Sequence, residues 1–322
     1  MAGIVDRLLN SKEPSLELKI LVHVLLKDPD SSEIQQAQKE VRVSSRVSLL
    51  LSERDTSGRI PLGPYSKWRG AHWVLATLAD MGYPPGDLAL MPLREQVLEW
   101  LLSKEHLKKH LRCIDGRVRR CASQEGNALY SLLSLGLADD RCDELASRLM
   151  KWQWPDGGWN CDKRPEAKNS SFMESLIPLR SLALYARLKG GDEARRTVER
   201  AAEIFLKRKL YRRQRDGQIM NRGFVELHYP CYWHYDILFG LKVMAEAGFI
   251  NDERCSEALD LLESKRLPDG GFPAEKKYYH VSLNGISGMS LVDWGCTGKR
   301  HMNEFVTADA LHVLKSSNRL KN

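Results

Sequence analysis

The chain has 322 residues, of which 43% are hydrophobic, and carries a formal net charge of +7 at pH 7. It contains no stretch close to the roughly 18 uncharged apolar residues of a membrane span and no signal-peptide core, so we expect a cytoplasmic protein. Its seven cysteines form no CxxC pair, which excludes a zinc ribbon and indicates reduced thiols. The basic run at 207–215 is interpreted as a solvated helix end, so a nucleic-acid partner is not expected.

Two kinds of helix alternate along the chain. One kind is apolar on all sides, which is typical of helices buried on every face. The other kind has one apolar stripe and charged remaining faces. The all-apolar segments are 16–27, 71–81, 127–137, 175–186, 237–249 and 307–314, and the striped segments include 92–107, 142–152, 192–210 and 252–263.

A turn motif recurs between these helices with one fixed register. Its glycines are Gly58, Gly116, Gly157, Gly217 and Gly270. Gln or Arg stands four residues before each glycine, and a large apolar residue stands two residues after it. Asp-Gly suits a turn that needs a permissive backbone, and the apolar residue is expected to point back into the protein. The spacing predicts an array of helical hairpins.

Closing such an array into a ring buries one layer of helices completely, whereas an open solenoid would expose both layers. We therefore predict an all-α fold, an α/α toroid with about six inner and five to six outer helices. We expect a single domain over 1–322, with an amino-terminal helical segment at 1–32 and helical-hairpin repeats at 33–317. Short extended pieces are expected near 218–227 and 276–292.

The turn residues also carry a family resemblance. "LMKWQWPDGGW" resembles the QW repeat of squalene-hopene and oxidosqualene cyclases, and "LPDGGFPAE" resembles the related repeat of protein prenyltransferase β subunits. Over roughly 40–315, the chain is similar to stand-alone bacterial members of this terpenoid cyclase and protein prenyltransferase superfamily. The resemblance implies an α/α barrel with its active site in the central cavity. The sequence lacks the DxDD and DDxxD motifs, so a standard triterpene cyclase is not expected.

The resemblance to protein prenyltransferases also implies zinc held by Asp, Cys and His. "LVDWGCTGKRHMNEF" offers Asp293, Cys296 and His301, which are suitable residue types for zinc. The alternative interpretation is a polar loop with a helix cap. A divalent metal is thus a candidate cofactor.

Polar and aromatic residues cluster where the inner helices begin, and we expect these starts to face one end of the cavity. His234 with Asp236, or with Glu174 across the ring, would form an acid–base pair, and Glu125 adds a further carboxylate. These four residues are the catalytic candidates. Candidate substrate-binding residues are Trp68, His72, Phe172, His228, Tyr229, Tyr232, Trp233, Glu304 and Asp309.

Three functions remain open at this stage, all with a small molecule as partner and an undetermined oligomeric state. The preferred one is an enzyme acting on an isoprenoid or similar apolar substrate. The second is an α/α-toroid enzyme acting on a carbohydrate or other polar substrate through paired carboxylates. The third is a non-catalytic binding module. The first rests on the fold resemblance, which is an analogy.

Overall fold

A computed structural model describes residues 2–284 and 287–320. In chain order its α-helices are α1 (Ala2–Leu9), α2 (Pro14–His23), α3 (Ser32–Val43), α4 (Ser45–Leu51), α5 (Ala71–Asp80), α6 (Met91–Leu102), α7 (Lys104–His110), α8 (Ala122–Ser134), α9 (Asp140–Trp152), α10 (Phe172–Lys189), α11 (Asp192–Leu206), α12 (Ile237–Glu246), α13 (Ser256–Glu263) and α14 (Glu304–Ser316). Short 3-10 helices cover Leu88–Leu90, Arg222–Val225 and Glu253–Cys255. Two small sheets pair β1 (Arg112–Ile114) with β2 (Arg117–Arg119), and β3 (His280–Val281) with β4 (Met289–Ser290).

The helices form two concentric layers. The inner layer contains α2, α5, α8, α10, α12 and α14, and α14 packs back onto α2. Five of the inner helices, α2, α5, α8, α10 and α12, also pack against an outer partner, and the outer helices are α1, α3, α6, α9, α11 and α13. The predicted all-α toroid with six inner helices is confirmed. None of the described helices is long and apolar enough to cross a membrane.

The closest inner-layer packing joins α8 to α10 at a glycine. A Cβ added to Gly126 would lie 2.9 Å from the backbone nitrogen of Pro178, so only a residue without a side chain allows this approach. Pro178 lies inside α10 and is buried against this contact. The two helices, which are neighbours in the inner layer, therefore meet backbone to backbone.

The five turn glycines all have positive φ, between 68° and 105°. The apolar residues that follow are buried at Ile60, Trp159 and Phe272, as predicted. Ile219 is 45% exposed, so the expectation of an inward-pointing residue is wrong for that turn.

The Asp115-Gly116 turn closes the β1–β2 hairpin instead of joining two helices directly. Asp-Gly with positive φ at both positions is a favoured hairpin turn, which explains this local strand pair.

The stretch "KWQWPDGGWN" shows how a turn fixes neighbouring elements. Trp152, Trp154 and Trp159 are all buried. The indole N–H of Trp154 donates to the Val118 carbonyl at 2.7 Å. The Gln153 amide donates to the carbonyls of Gly157 and Thr197, both at 2.8 Å. The turn is therefore bonded to β2 and to the outer helix α11 as well as to itself.

The helix boundaries differ from the predicted ones by up to five residues at either end. α8 and α10 begin five and three residues before the predicted apolar segments, whereas α2 and α11 each end four residues before the predicted segments 16–27 and 192–210. The predicted segment 92–107 divides into α6 and α7, because Ser103 ends one helix and caps the next through its hydroxyl. The extended piece expected near 218–227 contains a 3-10 helix, whereas β3 and β4 lie within the piece expected at 276–292.

The turn at Gly157 provides a direct test of this packing. A Cβ at Gly157 would lie 2.2 Å from the Arg200 carbonyl oxygen, whereas one at Gly217 would meet nothing within 4 Å. Both residues have positive φ, so both alanine variants carry a backbone cost of about 1–2 kcal/mol. We expect Gly157→Ala to lose about 1–3 kcal/mol more than Gly217→Ala, because of overpacking against α11. Urea unfolding of the two variants measures this difference, and equal losses would contradict the predicted clash.

Candidate functional site

A cavity of about 520 Å³ lies at the centre of the ring, which is within the range of small-molecule sites. It is lined by residues from the carboxyl-terminal halves of all six inner helices, which therefore run in the same direction. Its polar lining residues are Lys19, His23, Gln38, Asp80, Tyr83, Tyr130, Ser134, Arg180, Arg187, Lys242, Glu246, Asp309 and His312. The starts of the inner helices, which are expected to face one end of the cavity, contribute no residue to this lining.

A ring of four charged side chains forms the floor of this cavity. Lys19 Nζ lies 3.1 Å from Asp80 and 2.9 Å from Asp309. Lys242 Nζ lies 2.9 Å from Asp80 and 3.0 Å from Asp309. Each lysine thus forms ion pairs with both aspartates, and each aspartate forms ion pairs with both lysines. This Lys–Asp square joins α2, α5, α12 and α14.

The charges of the square stabilise one another against burial. Burial opposes ionisation of Asp80, but Lys19, Lys242 and Arg180 outweigh it and hold the pKa of this carboxyl well below its ordinary value. Burial likewise opposes the charge on Lys242, yet Asp309 and Asp80 raise its pKa well above the usual range. The pKa of Asp309 is lowered in the same way by Lys19 and Lys242, against the effect of burial. All three groups are therefore charged at neutral pH.

The remaining inner helices join this network through Arg180 and Tyr130. Arg180 on α10 binds Glu246 with two hydrogen bonds of 2.6 and 2.7 Å, and lies 3.6 Å from Asp80. The Arg180 guanidinium carbon sits 3.8 Å from the ring centre of Tyr130 on α8. Burial opposes ionisation of Glu246, but Arg180 lowers the pKa of that carboxyl. Every inner helix thus contributes a side chain to one polar cluster at the axis.

Two histidines stack on the cavity wall. His23 and His312 have ring centres 4.2 Å apart, with the planes 17° from parallel. Burial is the main cause that lowers the pKa of His23 to about 3 and that of His312 to about 4. Both rings are therefore neutral at pH 7. Nδ1 of His312 is buried and has no hydrogen-bond partner among the described residues.

The opposite end of the ring, where the inner helices begin, is filled with aromatic side chains. Trp68 stacks on Tyr232 at 3.8 Å, and His234 stacks on Tyr278 at 3.5 Å and on Trp233 at 4.0 Å. Offset and edge contacts of this kind add about 0.5–1.5 kcal/mol each beyond burial. A second cavity of about 40 Å³ lies beside this aromatic packing, and its lining includes Tyr232, Asp80 and Arg180.

The four sequence-predicted catalytic residues do not meet at one place. Glu125 is fully buried and accepts hydrogen bonds of 2.8 and 2.6 Å from Arg120, which also contacts His106. Burial raises the pKa of Glu125, and Arg120 opposes that rise. Glu174 accepts a hydrogen bond from the Ser123 backbone at 3.1 Å. None of the four lines the central cavity.

The predicted pair of His234 with Asp236 is replaced by a different pair. Asp236 caps α12 by accepting from the backbone of Phe239 at 2.8 Å, and it also accepts from the backbone of His228 at 2.8 Å. Its carboxylate lies 2.7 Å from Nδ1 of His228, although the ring is not aligned for a hydrogen bond. Burial, followed by the nearby His228, lowers the pKa of His234 to about 3. His234 is therefore a neutral member of the aromatic core.

The predicted substrate-binding residues separate into three groups. Asp309 lines the central cavity, and Tyr229 and Tyr232 line the small second one. Glu304 accepts a hydrogen bond from Ser11 at 3.2 Å at the first turn of α14. The others belong to aromatic packing away from the central cavity: Trp68, His72, Phe172, His228 and Trp233.

The predicted zinc ligands do not converge. Asp293, Cys296 and His301 are exposed, and the Asp293 carboxylate accepts from the Gly295 backbone at 3.0 Å. They do not form a group with metal-ligand spacing within residues 2–284 and 287–320. These three side chains therefore do not fit the zinc that the resemblance implies, and the polar-loop interpretation describes them.

Sequence reasoning missed most of the residues at the cavity. Lys19, Asp80, Arg180, Lys242 and His312 each lie within a mostly apolar stretch of an inner helix. An unpaired buried charge is costly, so a charge within such a stretch predicts an oppositely charged partner on a neighbouring helix. That signal was present in four inner helices, at Lys19, Asp80, Arg180 and Lys242.

No family model matches the chain, and no curated protein matches it. Among solved structures, a polysaccharide lyase has a TM-score of 0.50 at 12% identity, with 99% of this chain and 97% of that chain covered. A family 88 glycosyl hydrolase from Bacteroides vulgatus has a TM-score of 0.47 at 11% identity, covering 96% and 91%. The type II terpene cyclase MstE from Scytonema has a TM-score of 0.44 at 14% identity, covering 95% and 88%. At these identities the likeness concerns the fold alone, the α/α toroid.

Breaking the Lys–Asp square is expected to destabilise the protein strongly. Asp309→Asn leaves Lys19 and Lys242 to share one carboxylate, and the loss of one partner of a buried ion pair costs about 3–5 kcal/mol. The exposed pair of Arg195 and Asp192 serves as the control, since Arg195→Gln should cost less than about 1 kcal/mol. Urea unfolding at pH 7 measures both, and similar losses would exclude a structural role for the square.

Acid sensitivity is expected to depend on buried neutral histidines. His72 is 2% exposed, and burial, followed by Arg120, lowers its pKa to about 3. Because the unfolded chain binds this proton near pH 6.5, stability should fall as the pH drops from 6.5 towards 3. His72→Phe should reduce the loss of unfolding free energy between pH 6.5 and 4.5 by about 2–3 kcal/mol.

The measurement for His72 is a series of urea unfolding curves from pH 8 to pH 4.5 on both proteins. Between pH 8 and 7.5 the imidazole is neutral in both states, so the curves of wild type and variant should run parallel there. Unchanged acid sensitivity in His72→Phe would show that this histidine is not held in its neutral form.

Proposed function

We propose that the protein is an enzyme that cleaves a small acidic saccharide, of the uronate type, by acid–base elimination in the central cavity. The observation that carries this proposal is the lining of the cavity. It combines ion-paired charges, free hydroxyl groups and two neutral imidazoles within about 520 Å³. A ligand rich in hydroxyl groups finds both acceptors and donors on such a wall.

The same lining does not favour an isoprenoid substrate. Pockets for apolar ligands are walled mainly by hydrophobic and aromatic side chains. Here four cations and three carboxylates line the cavity, while the aromatic residues that suggested an isoprenoid are packed at the other end of the ring. An apolar substrate in this cavity would strip water from charged groups without replacing its hydrogen bonds.

The charge state of the carboxylates favours elimination over hydrolysis. Glycoside hydrolysis by two carboxyl groups requires one of them to be protonated and to act as the general acid. Asp80, Asp309 and Glu246 all have lowered pKa values, because cations outweigh burial at each of them. None of these three carboxyl groups is available as a proton donor at neutral pH.

Neutral groups on the wall supply the acid and the base instead. Burial raises the pKa of Tyr130 to about 12, so its phenol keeps its proton and can donate it to a leaving oxygen. His312 is neutral and its Nδ1 has no partner within the described residues, so it can accept a proton. A bound carboxylate beside His312 would raise the low pKa of its imidazole towards neutrality and improve it as a base.

Arg187 completes the proposed arrangement at the cavity mouth. It lines the cavity and is exposed, and its guanidinium forms no ion pair with the described residues. A free guanidinium suits a carboxylate through two parallel hydrogen bonds. We assign it the recognition of the acidic group of the substrate. The fold is compatible with this chemistry, because one solved structure with this fold is a polysaccharide lyase.

Incubation with uronate-containing oligosaccharides tests the proposal. We expect an unsaturated product with conjugated ultraviolet absorbance, and no conversion of prenyl diphosphates. His312→Asn should lower kcat/KM by about 10²–10⁴-fold, because a general base contributes that much. Tyr130→Phe should cause a loss of similar size. His301→Asn, at an exposed site away from the cavity, is the matched control and should keep full activity.

Other products would contradict the proposal in distinct ways. New reducing ends without ultraviolet absorbance would indicate hydrolysis. Conversion of a prenyl diphosphate would indicate the isoprenoid function. Thermal stabilisation by an oligouronate without turnover, lost in Arg187→Gln, would indicate a non-catalytic binding module.

A further inference from the structure

We propose that Cys121, Cys161 and Glu174 form a binding site for a thiophilic divalent cation, with Zn²⁺ as the best fit. The site lies where α8 and α10 begin, at the end of the ring opposite the central cavity. Its ligand atoms are two thiol sulfurs and one carboxylate oxygen, all within 4.8 Å of one another. It is the only such group of three or more within residues 2–284 and 287–320.

The spacing of the ligand atoms matches tetrahedral zinc. Cys161 Sγ lies 3.6 Å from Glu174 Oε1. With Zn–S near 2.3 Å and Zn–O near 2.1 Å, the sulfur and oxygen corners of a tetrahedron lie about 3.6 Å apart. Three protein ligands leave the fourth corner for a water molecule, as in zinc sites that remain open.

The backbone holds these three side chains in place. Cys121 is the N-cap residue of α8, Glu174 lies in the first turn of α10, and Cys161 follows the Trp159 turn. The Arg120 amide donates to the Asn160 carbonyl at 3.2 Å, which ties the two cysteine-bearing segments together. Ser123 N–H holds Oε2 of Glu174 at 3.1 Å and leaves Oε1 facing Cys161. An outer hydrogen bond that orients a ligand is typical of metal sites.

The electrostatics of the cluster also call for a cation. Glu174 has no salt-bridge partner among the described residues, and Arg120 is already paired with Glu125. The adjacent Cys121, together with burial and the Glu174 carboxylate, raises the pKa of the Cys161 thiol well above its usual value. Burial raises the pKa of Glu174. A divalent cation would reverse this by stabilising both thiolates and the carboxylate.

Titration of the reduced full-length protein with Co²⁺ tests the site. We expect one equivalent to bind, with thiolate-to-cobalt charge transfer and the visible bands of tetrahedral Co²⁺, and we expect Zn²⁺ to displace it. Cys121→Ser and Cys161→Ser should each weaken metal binding at least tenfold and reduce the charge-transfer band. Glu174→Gln should weaken binding at least tenfold while keeping that band, because both thiolates remain.

Cys296→Ser is the matched control, because Cys296 is exposed and belongs to the other zinc set suggested by the sequence. This variant should bind Co²⁺ like the wild type. If the serine variants do not fold, ¹¹³Cd NMR of the wild-type protein supplies a second measurement, and its chemical shift should report two sulfur ligands. The absence of thiolate charge transfer under reducing conditions, or its loss in Cys296→Ser alone, would overturn the proposed site. None of these measurements depends on turnover, so the result is independent of the proposed elimination reaction.

Discussion

The ring is closed at its axis by the Lys–Asp square. Lys19, on the first inner helix, bonds Asp309, on the last inner helix, across 290 positions of sequence, and also bonds Asp80 on the next helix around the ring. Buried charges tolerate few alternative arrangements, because every rearrangement that separates them exposes an unpaired charge. Apolar packing alone would accept several helix orders or an open spiral. The square favours the one order in which four inner helices place alternating charges around a common centre.

The same constraint explains why the two ends of the ring differ. The charged cluster needs polar surroundings, so the carboxyl ends of the inner helices leave a solvent-accessible cavity above it. The amino ends instead carry stacked aromatics such as Trp68 on Tyr232. Asp80 and Arg180 line both the large cavity and the small second one, and so form the partition between the two ends.

The fold could be predicted from the sequence, whereas the position of the cavity could not. Alternation of all-apolar and striped helices, together with the glycine register, is a local pattern that repeats, and it led to the α/α toroid. The position of the cavity depends on where single charges such as Lys242 and Arg180 meet across the ring, which local patterns do not encode. The predicted catalytic residues include His234 and Asp236 because aromatic and titratable residues are concentrated in that short stretch of the sequence. Its aromatic side chains instead pack against one another, and the Asp236 carboxylate caps α12 by accepting a hydrogen bond from the Phe239 backbone.

The start of α10 shows how one helix end can serve both the fold and a separate chemistry. Ser175, in the first turn, receives the Trp159 amide at 3.0 Å and so fixes the neighbouring turn to the helix. This hydrogen bond fixes the backbone at Trp159 against the start of α10. Cys161, two residues further along the chain, therefore lies beside Glu174. The carboxylate predicted to act across the ring on His234 is therefore directed towards two thiols at its own end of the barrel. Because both thiols and the carboxylate are positioned by helix starts and by a tryptophan turn, any metal bound there would also couple α8 to α10 at their amino ends.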